Sequence, residues 1–109
     1  MTGKNGNAQV QAFYRDVNER IASISRDLGT EKLEILCECG TPSCTERVRI
    51  DVAAYESVRG EATHFALISG HQDPAVEDIV ETGEGFLVVA NYGAAATVAR
   101  RTDPRSSSR

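Results

Sequence analysis

Tryptophan is missing from this 109-residue chain, and phenylalanine and tyrosine occur three times each, so any core must be built mainly from aliphatic side chains. No stretch approaches the roughly 20 consecutive apolar residues that cross a bilayer, which excludes a helical membrane span. The opening Met1-Thr-Gly-Lys-Asn-Gly-Asn lacks the apolar segment of a secretory leader, and a cytoplasmic location, where thiols stay reduced, is the expectation. Lysine is scarce, two against ten arginines, and histidine is confined to His64 and His71. Several catalytic signatures are also missing: H-E-x-x-H, the H-x-E with P-C-x-x-C of zinc deaminases, the G-x-S-x-G elbow and the phosphate-binding P-loop. Outside residues 37 to 44 there is no cysteine, so a framework of spaced disulfides is excluded.

What is present is ordinary for a small globular domain: 40% hydrophobic and 26% charged residues, with a formal charge of −4. That charge is uneven. Residues 100–109 carry four arginines against Asp103, net +3, which leaves −7 on the remainder. An acidic body of this kind argues against nucleic acid as a partner. The chain is expected to divide into a disordered polar lead (1–8), one α+β domain (9–101) and a flexible basic tail (102–109).

Apolar residues recur at Val10, Tyr14, Val17, Ile21, Ile24 and Leu28, with Phe13 widening the stripe and Gly29 placed to end it. These spacings of four and three predict a helix over 9–28. The stripe predicts either a core-facing surface or the seam of a homodimer, the latter with poor charge pairing at Asn18 and Ser25. From Leu33 the period changes to two. Leu33, Ile35 and Cys37 alternate with Glu34 and Glu38, and Val48 and Ile50 alternate with Arg47, Arg49 and Asp51, which predicts a hairpin closed by the cysteine turn. Asp51 is placed to cap a helix from Val52 to about Arg59. A strand at Phe65–Ser69, a strand-turn-strand around Thr82-Gly83-Glu84-Gly85 and a helix at 94–101 complete the pattern. The fold class is α+β: a long N-terminal helix packed on a small, mostly antiparallel sheet with a metal-binding hairpin knuckle.

Three cysteines within eight residues, Cys37-Glu-Cys39-Gly-Thr-Pro-Ser-Cys44, suit convergence on one cation better than pairing as disulfides. In extended chain, residues two apart face the same side, so Cys37 and Cys39 can share an ion with Cys44 on the return. The fourth ligand is expected to be His71, at a strand exit after Gly70, with His64 as the alternative and Asp73 placed to orient the ring. Thiolate and imidazole donors suit Zn2+. A [2Fe-2S] cluster, held by three Cys and one His as in the CDGSH proteins, is the alternative cofactor, although the third cysteine comes too early for that motif. Free thiols acting as a redox switch are a further alternative, against which Glu38 argues by raising thiolate pKa values. Four filled positions make the metal structural rather than catalytic, so an enzyme ranks behind a protein-interaction or regulatory adaptor and behind a redox- or metal-responsive regulator.

The runs Phe13-Tyr-Arg-Asp-Val-Asn-Glu-Arg-Ile, Cys37-Glu-Cys-Gly, Cys44-Thr-Glu-Arg-Val, Tyr55-Glu-Ser-Val-Arg, Gly70-His-Gln-Asp-Pro and Thr102-Asp-Pro-Arg together resemble a family of small proteins of high-GC actinobacteria. The resemblance covers about residues 12–105, and the arginine bias fits a GC-rich genome. It implies no activity. It implies that Cys37, Cys39, Cys44 and His71 occupy the family's cysteine and Gly-His motifs. Where similar chains often carry an acidic residue this one has Gly40-Thr-Pro-Ser43, a change of charge more than of geometry.

Overall fold

The structure, a computed structural model, describes residues 4–105; the first three residues of the expected lead and the last four of the expected tail lie outside the described residues. Helix α1 (Lys4–Leu28) is followed by strands β1 (Lys32–Leu36) and β2 (Arg47–Asp51), helix α2 (Val52–Arg59), strands β3 (His64–Leu67), β4 (Glu77–Thr82) and β5 (Leu87–Asn91), and helix α3 (Gly93–Arg101). The class is the expected α+β. The strands, however, form two small antiparallel sheets, β1-β2 and β3-β5-β4, rather than one.

The hairpin forms where period-two alternation predicts it. Leu33 lies opposite Ile50 and Ile35 opposite Val48, all four buried, while Glu34, Arg47 and Arg49 point to water. The inner face continues past β1, because Cys37 and Cys39 extend the Leu33, Ile35 series and are themselves buried. Just beyond β1, the Glu38 N–H donates to Ala66 O of β3 (2.9 Å), so the start of the cysteine loop joins the two sheets. One core cluster draws Ala22 from α1, Tyr55 and Val58 from α2, Ala99 from α3 and the inner residues of β1, β2, β3 and β5.

Helix α1 departs from expectation in two ways. It begins at Lys4, so residues 4–8 are helix rather than a disordered lead. Its first turns are held by packing: Ala8 is buried against Val76 and Ala95. The second departure is in orientation. The buried face is Ala8, Gln11, Ala12, Arg15, Asn18 and Ala22, small or polar residues, whereas Phe13, Ile24 and Leu28 are 64%, 60% and 76% exposed. The apolar stripe therefore does not face the core. Alanines let the helix approach closely, and the polar residues between them find partners across the fold. Arg15 is fully buried, donates to Ala62 O (2.6 Å), Ala99 O (2.8 Å) and Thr102 Oγ1 (3.2 Å), and lies 4.8 Å from the centre of the Phe65 ring.

Residues 102–105, expected as part of a flexible tail, belong to the fold. Asp103 is buried and accepts from the buried Arg59 guanidinium. Arg105 donates to both Glu19 oxygens (2.6 and 3.0 Å) and both Glu56 oxygens (3.0 and 3.1 Å). A guanidinium buried at Arg59 requires carboxylates around it, and Glu19 of α1 and Asp103 provide them.

Candidate metal centre

Extended backbone at Cys37-Glu38-Cys39 sends the two thiols one way and the carboxylate the other. Glu38, fully buried, accepts from Asn18 Nδ2 (2.9 Å), Tyr55 OH (2.6 Å) and the Ala66 N–H (2.9 Å). Asn18 in turn pairs with the Leu36 backbone, donating to its carbonyl and accepting from its N–H, both at 2.9 Å. A helix side chain thus borders the last residue of β1 as another strand would. Glu38 is the anchor that fixes which way Cys37 and Cys39 point. Burial pushes its carboxyl up, opposed by its three donors.

The return turn is equally constrained. The Cys44 N–H closes on Thr41 O (3.1 Å), and Tyr14 OH reaches from α1 to Pro42 O (2.9 Å) and Thr41 O (3.2 Å). Gly40 passes so close to α1 that a Cβ there would stand 2.8 Å from Asn7 Cβ and 3.2 Å from Asn7 O. On the other side of the site β3 ends, and the chain turns through Gly70 at φ +98° with the His71 N–H bonded to Ile68 O (3.0 Å). That turn carries the imidazole to the sulfurs.

The result is a group of four. One donor atom each from Cys37, Cys39, Cys44 and His71 lies within 4.8 Å of all the others, and the group can hold a metal ion. His64, the alternative ligand, stands at the start of β3 and is not in the group. His71 Nδ1 faces Cys37 Sγ at 3.5 Å and Cys44 Sγ at 3.6 Å. A tetrahedral ion with metal–sulfur bonds of about 2.3 Å and a metal–nitrogen bond of about 2.0–2.1 Å has a sulfur–nitrogen edge of about 3.6 Å. The donor set therefore fits one tetrahedral ion in number and chemistry, and the two sulfur–nitrogen distances match that edge. The backbone contributes a further feature: the Ile68 N–H donates to Cys37 Sγ at 3.3 Å, a bond that favours thiolate. Asp73, expected to orient His71, instead accepts from the Ala75 N–H (3.0 Å) and closes its own turn.

Three thiols this close cannot all ionise unaided. The hydrogen bond from Cys37 pushes the Cys39 thiol down, with further help from the Thr41 backbone, and the same bond together with burial pushes Cys37 up. Burial and the Cys39 charge push Cys44 up. A divalent cation removes this mutual repulsion by neutralising the set.

Beside the site lies an open cleft of about 270 Å³, lined by Gly40, Thr41, His71, Asp73, Gln11 and Glu77 among others. Gln11 and Glu77 are joined at 2.6 Å on its buried side. Sequence reasoning brought forward the four candidate ligands but gave Glu38 only an electrostatic role and missed Asn18, Tyr55 and Tyr14 as supports. The signal available for them was the series Gln11, Arg15, Asn18 and Ala22, a second helical face running beside the apolar one.

No protein-family model, curated protein or solved structure matches the chain. No helix among the described residues is long and apolar enough to cross a membrane.

Proposed function

We propose that this chain is a zinc-clamped α+β module that acts by association with other protein surfaces rather than by catalysis. The observation that carries the proposal is the spacing of His71 Nδ1 from two cysteine sulfurs, 3.5 and 3.6 Å, within a closed set of three sulfurs and one nitrogen. Zinc is the metal that suits such donors. In a [2Fe-2S] cluster the four ligands divide between two irons, whereas four donor atoms within 4.8 Å of one another converge on one centre. When bound, the ion supplies a cross-link among β1, the return turn and the end of β3. The residues around it orient the donors: Glu38 aims the thiols, Tyr14 holds the turn and Gly70 delivers the ring.

Kinship with the small actinobacterial proteins that share the C-x-C-G and Gly-His motifs belongs to the same proposal and rests on those motifs. A cytoplasmic location, where the thiols would stay reduced and available to metal, belongs to the proposal as well.

A second reading, a thiol-based redox or metal-responsive regulator, is favoured by one feature. Cys44 is only partly buried and borders an open groove of about 420 Å³, so an oxidant can reach one ligand while Cys37 and Cys39 stay covered. Elemental analysis of the purified protein, with its visible spectrum, separates the readings. One zinc per chain and no visible absorption is the expected result, with zinc lost in Cys39→Ser and His71→Ala and retained in His64→Ala. A metal-free chain that folds with unchanged stability would overturn the clamp. Zinc released by stoichiometric peroxide and regained on reduction would favour the regulator.

A further inference from the structure

We propose that two copies of this chain associate through the outward stripe of α1, antiparallel and about a two-fold axis near residue 19. The stripe runs the length of α1 and borders the cysteine loop at Tyr14 and Pro42.

The first observation is that α1 is inverted. Its buried face is alanine, glutamine, arginine and asparagine, while Val10, Phe13, Tyr14, Val17, Ile21, Ile24 and Leu28 lie on the far side or the flank, none of them fully buried. Only Ile21 of these is packed against the core. A helix of a single globular domain normally turns such a stripe inward. The exposed fractions of Phe13, Ile24 and Leu28 amount to two whole side chains, on the order of 400 Å² of apolar surface at about 200 Å² each. That is about half of the roughly 800 Å² per partner of a stable pair, and the half-buried members and polar flanks add to it.

The second observation is the period. Spacings of 4, 3, 4, 3 and 4 from Val10 to Leu28 keep one seam in line over the helix, as the 3.5-residue repeat of a two-helix contact does. The set is also palindromic. Reversal about residue 19 places Val10 opposite Leu28, Tyr14 opposite Ile24 and Val17 opposite Ile21, so every layer pairs a position of one type with the other type, as antiparallel coiled coils do.

The third observation gives the direction. At the N-terminal end the stripe borders a shallow, open groove of about 300 Å³ formed by Gln9, Val10, Tyr14 and Pro42 of the cysteine loop, with the exposed Phe13 ring along its edge. At the C-terminal end Ile24 and Leu28 stand out as a ridge. A parallel pair would set groove on groove and ridge on ridge. The antiparallel pair lays each ridge in the other copy's groove, twice.

Sedimentation equilibrium on the full zinc-loaded chain tests this. The expected mass is twice the 11.8 kDa of one chain, and Ile24→Glu and Leu28→Lys are each expected to weaken the dimer by about 100-fold or more. Both residues are exposed in the single chain, so circular dichroism and zinc content should stay unchanged. Mixing Val10→Glu with Leu28→Lys reads the orientation, because the antiparallel layer joins the new glutamate to the new lysine of the other chain. Recovery of a heterodimer by that mixture supports the proposal. A chain that stays monomeric at hundreds of micromolar overturns it, leaving the stripe to a different protein, and a dimer indifferent to Ile24→Glu or not restored by the mixture overturns it as well.

Discussion

Glu38 sits between two cysteines, and its environment explains why a carboxylate is tolerated there. Three donors, from Asn18, Tyr55 and the Ala66 backbone, converge on it in the interior. Replacing it with alanine would leave Tyr55 OH and the Ala66 N–H without this acceptor and take one of two from Asn18, at about 1–3 kcal/mol for each buried orphan. Glu38→Ala is therefore expected to cost about 3 kcal/mol or more in urea unfolding and to weaken zinc binding, because Cys37 and Cys39 lose their aim. Glu38→Gln keeps the size and an acceptor, and should cost less than half as much. Equal losses in the two variants would mean that Glu38 does not position the thiols. Arg15 poses the same kind of test at a distance from the metal. Its guanidinium is fully buried and holds Ala62 O and Ala99 O, so Arg15→Met is expected to lower stability by about 3 kcal/mol while leaving zinc affinity unchanged.

At the scale of elements, α1 and the segment after α3 are joined by charge. Glu19, Glu56 and Asp103 are held below the ordinary carboxylate range: burial opposes this at Glu19 and Asp103 but loses to the Arg59 and Arg105 contacts, and at Glu56 the Arg105 bond dominates. Carboxylates depressed in the folded state stabilise it fully above their unfolded pKa values, near 4, and that contribution disappears as pH falls through the lower folded values. Arg105→Ala is expected to cost about 1 kcal/mol at pH 7. The difference from the unsubstituted chain should shrink from about pH 5 downward, and comparing the two chains cancels any loss of metal common to both. A difference that grew on acidification would contradict the clasp.

Elements also show what the sequence made legible. The hairpin and the stop at Gly29 follow from alternation and a glycine, both local signals, and α2 runs from Val52 to Arg59 as expected. The Asp51 side chain, however, makes no capping bond and accepts instead from Lys32 (2.6 Å). The inward face of α1 did not follow, because periodicity counts apolar residues and cannot see that Asn18 will be satisfied by Leu36 or Arg15 by Ala99. Nor did the burial of Asp103, whose partner Arg59 is 44 residues away. The candidate ligands were legible because cysteines are few and crowded and histidines are only two. Their support was not, since Glu38, Tyr14 and Tyr55 act through long-range hydrogen bonds.

For the whole molecule, the four candidate ligands come from separate parts of the chain, and a metal held by them would cross-link those parts. β1 and β3 meet through the Glu38 and Cys37 bonds, and the His71 turn closes on the same point. A small domain with few aromatics gains from such a link, because metal binding free energy becomes folding free energy. Chelation is accordingly expected to lower the melting temperature by 10 °C or more, as several kcal/mol would in a chain of this length, with restoration on adding zinc. The most direct measurement is X-ray absorption at the zinc edge on the protein as purified. The account predicts three sulfur neighbours at about 2.3 Å and one nitrogen at about 2.0–2.1 Å, with no oxygen in the shell. A shell containing water or fewer than three sulfurs, or a protein without zinc, would contradict it.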